Sequence, residues 1–140
     1  MKNFLFPILF LLYSFSAHAQ MMSNDEALQH IKLGNTLREA RQFEKAELYL
    51  KGALQALKDK NPYWEATAYE NLGLLFRDQH RSVLAIKYLT EAHQRYLGLN
   101  MKTSAKAVKT LLDGVEEKEQ LYAGIEIGAK GVKGSVIGVY

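Results

Sequence analysis

Two stretches of this chain match each other at an offset of 39 residues, and that self-similarity restricts the fold more than any single motif. His30, Leu33, Gly34, Leu37 and Arg38 align with Tyr69, Leu72, Gly73, Phe76 and Arg77. Further along, Ala46, Tyr49, Leu50 and Ala53 align with Ala85, Tyr88, Leu89 and Ala92. A period in this range marks stacked repeats, in which each unit buries its apolar face against a neighbour. Surfaces built this way bind other molecules more often than they catalyse.

The periodicity inside each copy is helical. Ser23 followed by Glu26 forms a capping-box pattern ahead of Leu28, Ile31, Leu33 and Leu37, which predicts a helix over 24–40. Phe43, Ala46, Leu50, Ala53 and Leu57 predict a second over 43–59. Asn61-Pro62 is a helix start, because Asn caps and Pro is tolerated at the first helical position. Two further helices are expected over 62–79 and 82–98, and a fifth amphipathic one over 101–121 carries Val108, Leu111, Leu112, Val115 and Tyr122. Its polar side is Lys109, Asp113, Glu116, Glu117 and Glu119, most simply a solvated face. Gly34 and Gly73 sit mid-helix, where glycine costs about 1 kcal/mol relative to alanine. That cost makes sense if a partner helix crosses too closely for a Cβ. Ala46 and Ala85, twelve positions on in each copy, are the expected small partners, flanked by large Leu33, Leu37, Leu72 and Phe76.

Ahead of the repeats, Lys2, an apolar run from Phe4 to Phe15 and Ala17-His18-Ala19 have the layout of a secretory signal peptide cleaved after Ala19. The run is short for a membrane span, which needs about 20 apolar residues. An uncleaved anchor is the alternative, and it would be the chain's only expected membrane contact. Either way the remainder is expected to be exported, to the periplasm or beyond. Removing Lys2 takes the formal charge from +3 to about +2, with no basic run dense enough for a nucleic-acid footprint. The chain has no cysteine, so disulfides and thiolate metal sites are excluded.

These residues resemble the tetratricopeptide repeat (TPR) family, whose pattern is a large residue, Leu-Gly, then an aromatic or Leu, followed by Ala, an aromatic or Leu, and Ala. One copy supplies His30, Leu33-Gly34, Leu37, Ala46, Leu50 and Ala53; the next supplies Tyr69, Leu72-Gly73, Phe76, Ala85, Leu89 and Ala92. The resemblance covers about residues 24–98 and implies an all-α fold of antiparallel helical hairpins, two repeats plus a capping helix. The family period is about 34 residues, so the longer spacing here should lengthen the second helix and the turn from Lys58 to Asn61. In the family the concave surface is lined mainly by the first helix of each repeat. By position that surface would include Leu28, Ile31, Asn35, Arg38, Thr67, Glu70, Leu74 and Arg77. Asn35, Arg38 and Arg77 could hold a peptide backbone or terminal carboxylate. The carboxylate-clamp form of the family is not expected, because Ile31, Glu70 and Leu74 stand where that form has Lys or Asn.

From Tyr122 the composition turns to glycine and β-branched residues. Alternation through Ile125 and Ile127, then from Val132 to Val139, predicts a β-hairpin over 122–140. The segment resembles the first phosphate-binding hairpin of the actin, sugar-kinase and exopolyphosphatase superfamily. Glu126, Gly128, Gly131 and Lys133 fall on that motif's positions, with Glu126 in place of the usual Asp. The tail reads as the front of a further domain, as a remnant, or as a hairpin packed on the repeats; the first is favoured.

The sequence thus divides into a signal peptide over 1–19, a helical domain over 20–121 and a hairpin tail over 122–140. His30, His80 and His93 show no metal-ligand spacing, and no serine, histidine and acid arrangement is present locally, so neither cofactor nor catalysis is expected. The leading reading is an exported scaffold binding a peptide or protein partner on a TPR concave surface. The alternative is the front of a TPR-fused, actin-like or exopolyphosphatase-like enzyme that handles ATP or phosphate. A third reading is a homo-oligomer that covers the apolar ends of the stack.

Overall fold

A computed structural model describes the backbone of residues 21–137 and the side chains of 21–126 and of Gly128. The expected signal peptide lies outside the described residues. Five helices follow one another: α1 (Asn24–Glu39), α2 (Phe43–Leu57), α3 (Pro62–Asp78), α4 (Ser82–Gly98) and α5 (Lys102–Ile137). None of these helices is long and apolar enough to cross a membrane.

Local chemistry sets the helix ends. The Ser23 hydroxyl accepts from Glu26 N at 3.2 Å, and the Glu26 carboxylate accepts from Ser23 N at 2.9 Å, completing the capping box. Asn61 Oδ1 accepts from Trp64 N, with Pro62 at the first helical position of α3. At the other ends, Arg41, His80 and Asn100 each adopt a positive φ of 58–60°. The next residue then donates back into the helix: Gln42 N to Leu37 O, Arg81 N to Phe76 O and Met101 N to Tyr96 O, at 2.8–2.9 Å. These are Schellman caps, which reverse the chain in three residues while satisfying terminal carbonyls. The second helix stops at Leu57, two residues short of the expected 59, and the extra chain length falls in the four-residue turn over 58–61.

Helices α1 and α2 pair as one antiparallel hairpin and α3 and α4 as the next; α3 also packs on α2 and α1, and α5 packs on α4. The steric role expected of the two glycines is present, with a different partner. A Cβ on Gly34 would lie 2.6 Å from Leu50 Cγ, and one on Gly73 would lie 2.6 Å from Leu89 Cγ. Ala46 and Ala85 are buried nearby, but the leucine branches fill the space that the missing Cβ atoms leave. Equivalent positions need not share an environment. Leu72 is fully buried between α3 and its neighbours, whereas Leu33 is 41% exposed.

The capping helix continues this register. Ala105 is buried like Ala27 and Ala66, each 39 residues apart, and Val115 is buried at the position of Leu37 and Phe76, which are half-buried and buried. The first half of α5 therefore stands where the leading helix of a third hairpin would. Beyond residue 121 the chain does not turn into strands: α5 continues to Ile137, and no strand occurs among the described residues. The expected hairpin is corrected accordingly. A two-stranded hairpin needs further strands or a helix to cover it, while a helix satisfies its backbone internally. Tyr122 also extends the helical spacing of Leu111 and Val115, so the segment carries both periods at once. Glu126, Gly128, Gly131 and Lys133 accordingly lie along the backbone of α5 and not around a phosphate-binding turn; the last three residues of the predicted hairpin, 138–140, lie outside the described residues.

Candidate functional site

The C-terminal ends of α1 and α3 bring two equivalent arginines together. Arg38 Nε and Nη2 donate to Asn35 Oδ1 at 3.1 and 2.8 Å, and its Nη1 donates to Asp78 Oδ2. Arg77 Nε and Nη2 donate to the other Asp78 oxygen at 3.1 and 2.9 Å. One carboxylate thus holds guanidinium groups from two successive repeats. Burial pushes the Asp78 carboxyl up, but hydrogen bonds and charge from Arg77 and Arg38 outweigh it and hold the group below its ordinary value of 3.8. The Arg38 side chain is only 13% exposed and fixed on both flanks; the Arg77 side chain reaches further into solvent.

Two adjoining cavities open at this point. One, of about 410 Å³, is lined by Arg38, Glu39, Arg41, Phe43, Arg77, Asp78, His80 and Lys118. The other, of about 470 Å³, lies between the α3–α4 turn and α5, where Leu111, Gly114, Val115 and Tyr122 supply the apolar wall and Arg77, His80 and Lys118 are shared. Together they form a groove with a basic end and an apolar end. Arg41 and His80 occupy the same left-handed turn position in successive repeats, so the caps that reverse the chain also set the Arg41 guanidinium and the His80 imidazole at the groove. This volume suits peptide side chains or a small molecule.

Of the residues assigned to the concave surface from sequence, the groove brings together Arg38 and Arg77. Asn35 stands behind Arg38 and orients it. Ile31 is buried in the core and offers no surface, because its side chain faces the hairpin interior, so its placement on the binding face is corrected. Thr67 and Glu70 are occupied with Tyr96: the Tyr96 hydroxyl donates to Glu70 Oε2 at 2.8 Å and lies 3.2 Å from Thr67 Oγ1. Burial pushes that hydroxyl well above its ordinary value of 10.0; the Thr67 hydrogen bond works against the shift and the Glu70 carboxylate adds to it. Leu28 and Leu74 are half-buried and do not line either cavity. Sequence reasoning missed Arg41, His80, Lys118 and the apolar wall of α5. A third pass of the 39-residue register would have found that wall, since Leu111 follows Leu33 and Leu72.

Other polar features are structural. Glu65, 2% exposed, forms an ion pair with Arg95 at 3.0 Å, and the Arg95 guanidinium lies 4.6 Å from the Tyr69 ring centre. His30 meets Tyr49 edge-on at 4.9 Å, the equivalent of the Tyr69–Tyr88 pair in the next repeat, so His30 takes an aromatic packing position. His93 Nδ1 lies 2.9 Å from Ala105 O, tying α4 to α5. No group of three or more acidic or histidine side chains among the described residues is arranged to hold a metal ion. No family model matches this chain, and neither the curated proteins nor the solved structures contain a significant match.

Proposed function

We propose that this chain is an exported protein-interaction module of TPR type that holds a peptide segment of its partner in the groove between α1, α3 and α5. The observation that carries the reading is the groove itself. Two adjoining cavities lie where the C-terminal ends of α1 and α3 and the turns after them meet α5, with Arg38 and Arg77 at the basic end and Leu111 and Val115 at the apolar end. Asp78 fixes Arg38 and Arg77, and backbone hydrogen bonds close the turns that carry Arg41 and His80, which lowers the ordering cost of binding. The 39-residue register, the glycine–leucine contacts at Gly34 and Gly73, and the repeated aromatic pair support the TPR assignment. Export rests on Lys2, the apolar run and Ala17-His18-Ala19.

The test is a peptide-display selection on the purified chain, followed by hydrogen–deuterium exchange with each recovered peptide. Protection at the C-terminal ends of α1 and α3 and along residues 108–122 is the expected result. Protection confined to α2 and α4, or no recovered peptide, would sink the proposal.

A further inference from the structure

The geometry points to a specific kind of peptide: one that sets a side-chain carboxylate in the basic end of the groove and a bulky apolar side chain in the adjoining apolar end. This inference rests on the peptide-binding reading above and adds the chemistry of the ligand.

The basic end holds four cations, Arg38, Arg41, Arg77 and Lys118, against the carboxylates of Glu39 and Asp78. The C-terminal ends of α1 and α3 contribute partial negative charge, about half a unit each, so the surplus is close to one positive charge. The donors matter more than that sum. Asp78 takes the Nε/Nη2 edge of Arg77 and Nη1 of Arg38, whose other two nitrogens are held by Asn35, so both arginines are fixed and Arg77 keeps one nitrogen to offer. Arg77 Nη1 makes no hydrogen bond among the described residues, and Arg41 and Lys118 form no ion pair among them. These three sets of N–H donors face one cavity from the α1–α2 turn, α3 and α5. A carboxylate placed there would receive charge-assisted hydrogen bonds from Arg77, already held by Asp78, and from the exposed Arg41 and Lys118. A neutral side chain would leave those donors to water.

The second cavity differs in character. Leu111, Val115 and Tyr122 wall it, Gly114 leaves open space where any larger residue would intrude, and Glu119 is exposed at its edge. Its volume of about 470 Å³ accepts a leucine or an aromatic ring. Arg77, His80 and Lys118 belong to both cavities, so the two subsites are neighbours and one short segment can fill both. The acidic side chain sets orientation, and the apolar one supplies buried area.

The experiment uses the peptides recovered by display selection, and each peptide's Glu→Gln or Asp→Asn counterpart, in fluorescence-anisotropy titrations against the full chain. The expected consensus has an acidic residue close to a Leu, Phe, Tyr or Trp. Amide replacement should weaken binding at least tenfold, as should Arg77→Gln. The double variant Arg41→Gln/Lys118→Gln should weaken it several-fold; both side chains are exposed, so its fold is retained. Raising the salt from 50 to 300 mM should also weaken binding several-fold. Lys32→Gln, exposed and outside both cavities, should leave affinity unchanged. Peptides that protect the groove but carry no acidic residue, or whose affinity survives both the amide replacement and Arg77→Gln, would overturn this inference and leave the peptide-binding proposal standing. Recovery of no peptide, or protection elsewhere, would overturn both.

Discussion

Replacing single glycines with alanine separates the packing argument from ordinary helix propensity. At any mid-helix position the exchange gains about 1 kcal/mol of helix stability. At Gly73 the new Cβ would lie 2.6 and 2.7 Å from Leu89 Cγ and Cδ2, and 3.1 Å from Leu89 N. Leu89 is fully buried and cannot swing into solvent, and its amide belongs to the α4 backbone. Accommodation therefore requires the two helices to move apart, and overpacking of this kind costs about 1–3 kcal/mol. The net for Gly73→Ala runs from roughly neutral to about 2 kcal/mol destabilising. A Cβ on Gly114 meets no atom within 4 Å, so Gly114→Ala keeps the whole gain. The two variants should differ by about 1–3 kcal/mol, or at least about 4 °C in melting temperature for a domain of this size. Urea and thermal unfolding followed by far-UV circular dichroism would read the difference. Gly34→Ala should fall between them, because its nearest backbone atom, Ala46 O, is at 3.4 Å, whereas Gly73 meets Leu89 N at 3.1 Å. If Gly73→Ala proves as stable as Gly114→Ala, the close approach of α3 and α4 is wrong and the hairpin geometry with it.

Three further outcomes are expected. Leu72→Ala should cost about 2–5 kcal/mol in urea unfolding, whereas Leu33→Ala, at the equivalent but half-open position, should cost below about 1 kcal/mol; equal losses would mean that α1 is covered. Tyr96→Phe removes a hydrogen bond to the Glu70 carboxylate and should destabilise the domain by about 1.5–3 kcal/mol, with unchanged stability counting against a sealed α3–α4 contact. Because Asp78 is held below its ordinary value, its ion pairs stabilise the fold above about pH 4 and fade as pH falls through the lowered value. Unfolding titrations between pH 6 and about pH 2 should therefore show a steeper acid loss in the native chain than in Asp78→Asn; parallel curves would remove Asp78 from that role.

The helices were legible because every local signal agreed. Capping box, Asn-Pro start, apolar spacing and the 39-residue register all placed the same boundaries, and the ends found in the structure fall within two residues of them up to α4. The glycines were legible as close-approach sites, but not their partners, since a sequence shows that room is needed and not which branch takes it. The tail was misread for the opposite reason. Ile125 and Ile127 alternate as in a strand, while Leu111, Val115 and Tyr122 step as in a helix, and period alone does not choose between them in a short segment.

The groove was half legible, and the missing half has a single cause. Assigning the concave surface from α1 and α3 finds Arg38 and Arg77, because they share a register position. It also admits Ile31, since one helix face carries both the inward and the groove-facing side chains and sequence spacing does not separate them by a fraction of a turn. The rest of the site comes from elements that were assigned other duties. Arg41 and His80 sit in chain-reversing turns, where a left-handed residue reads as a cap, and Lys118 sits on a helix that reads as a lid. Yet a lid that keeps the repeat register, with Ala105 and Val115 buried at the repeat positions, packs along α4 and faces the α3–α4 turn. It then has to wall a cleft. The apolar half of the groove follows from that placement, and the basic half follows from Asp78 gathering one arginine from each repeat.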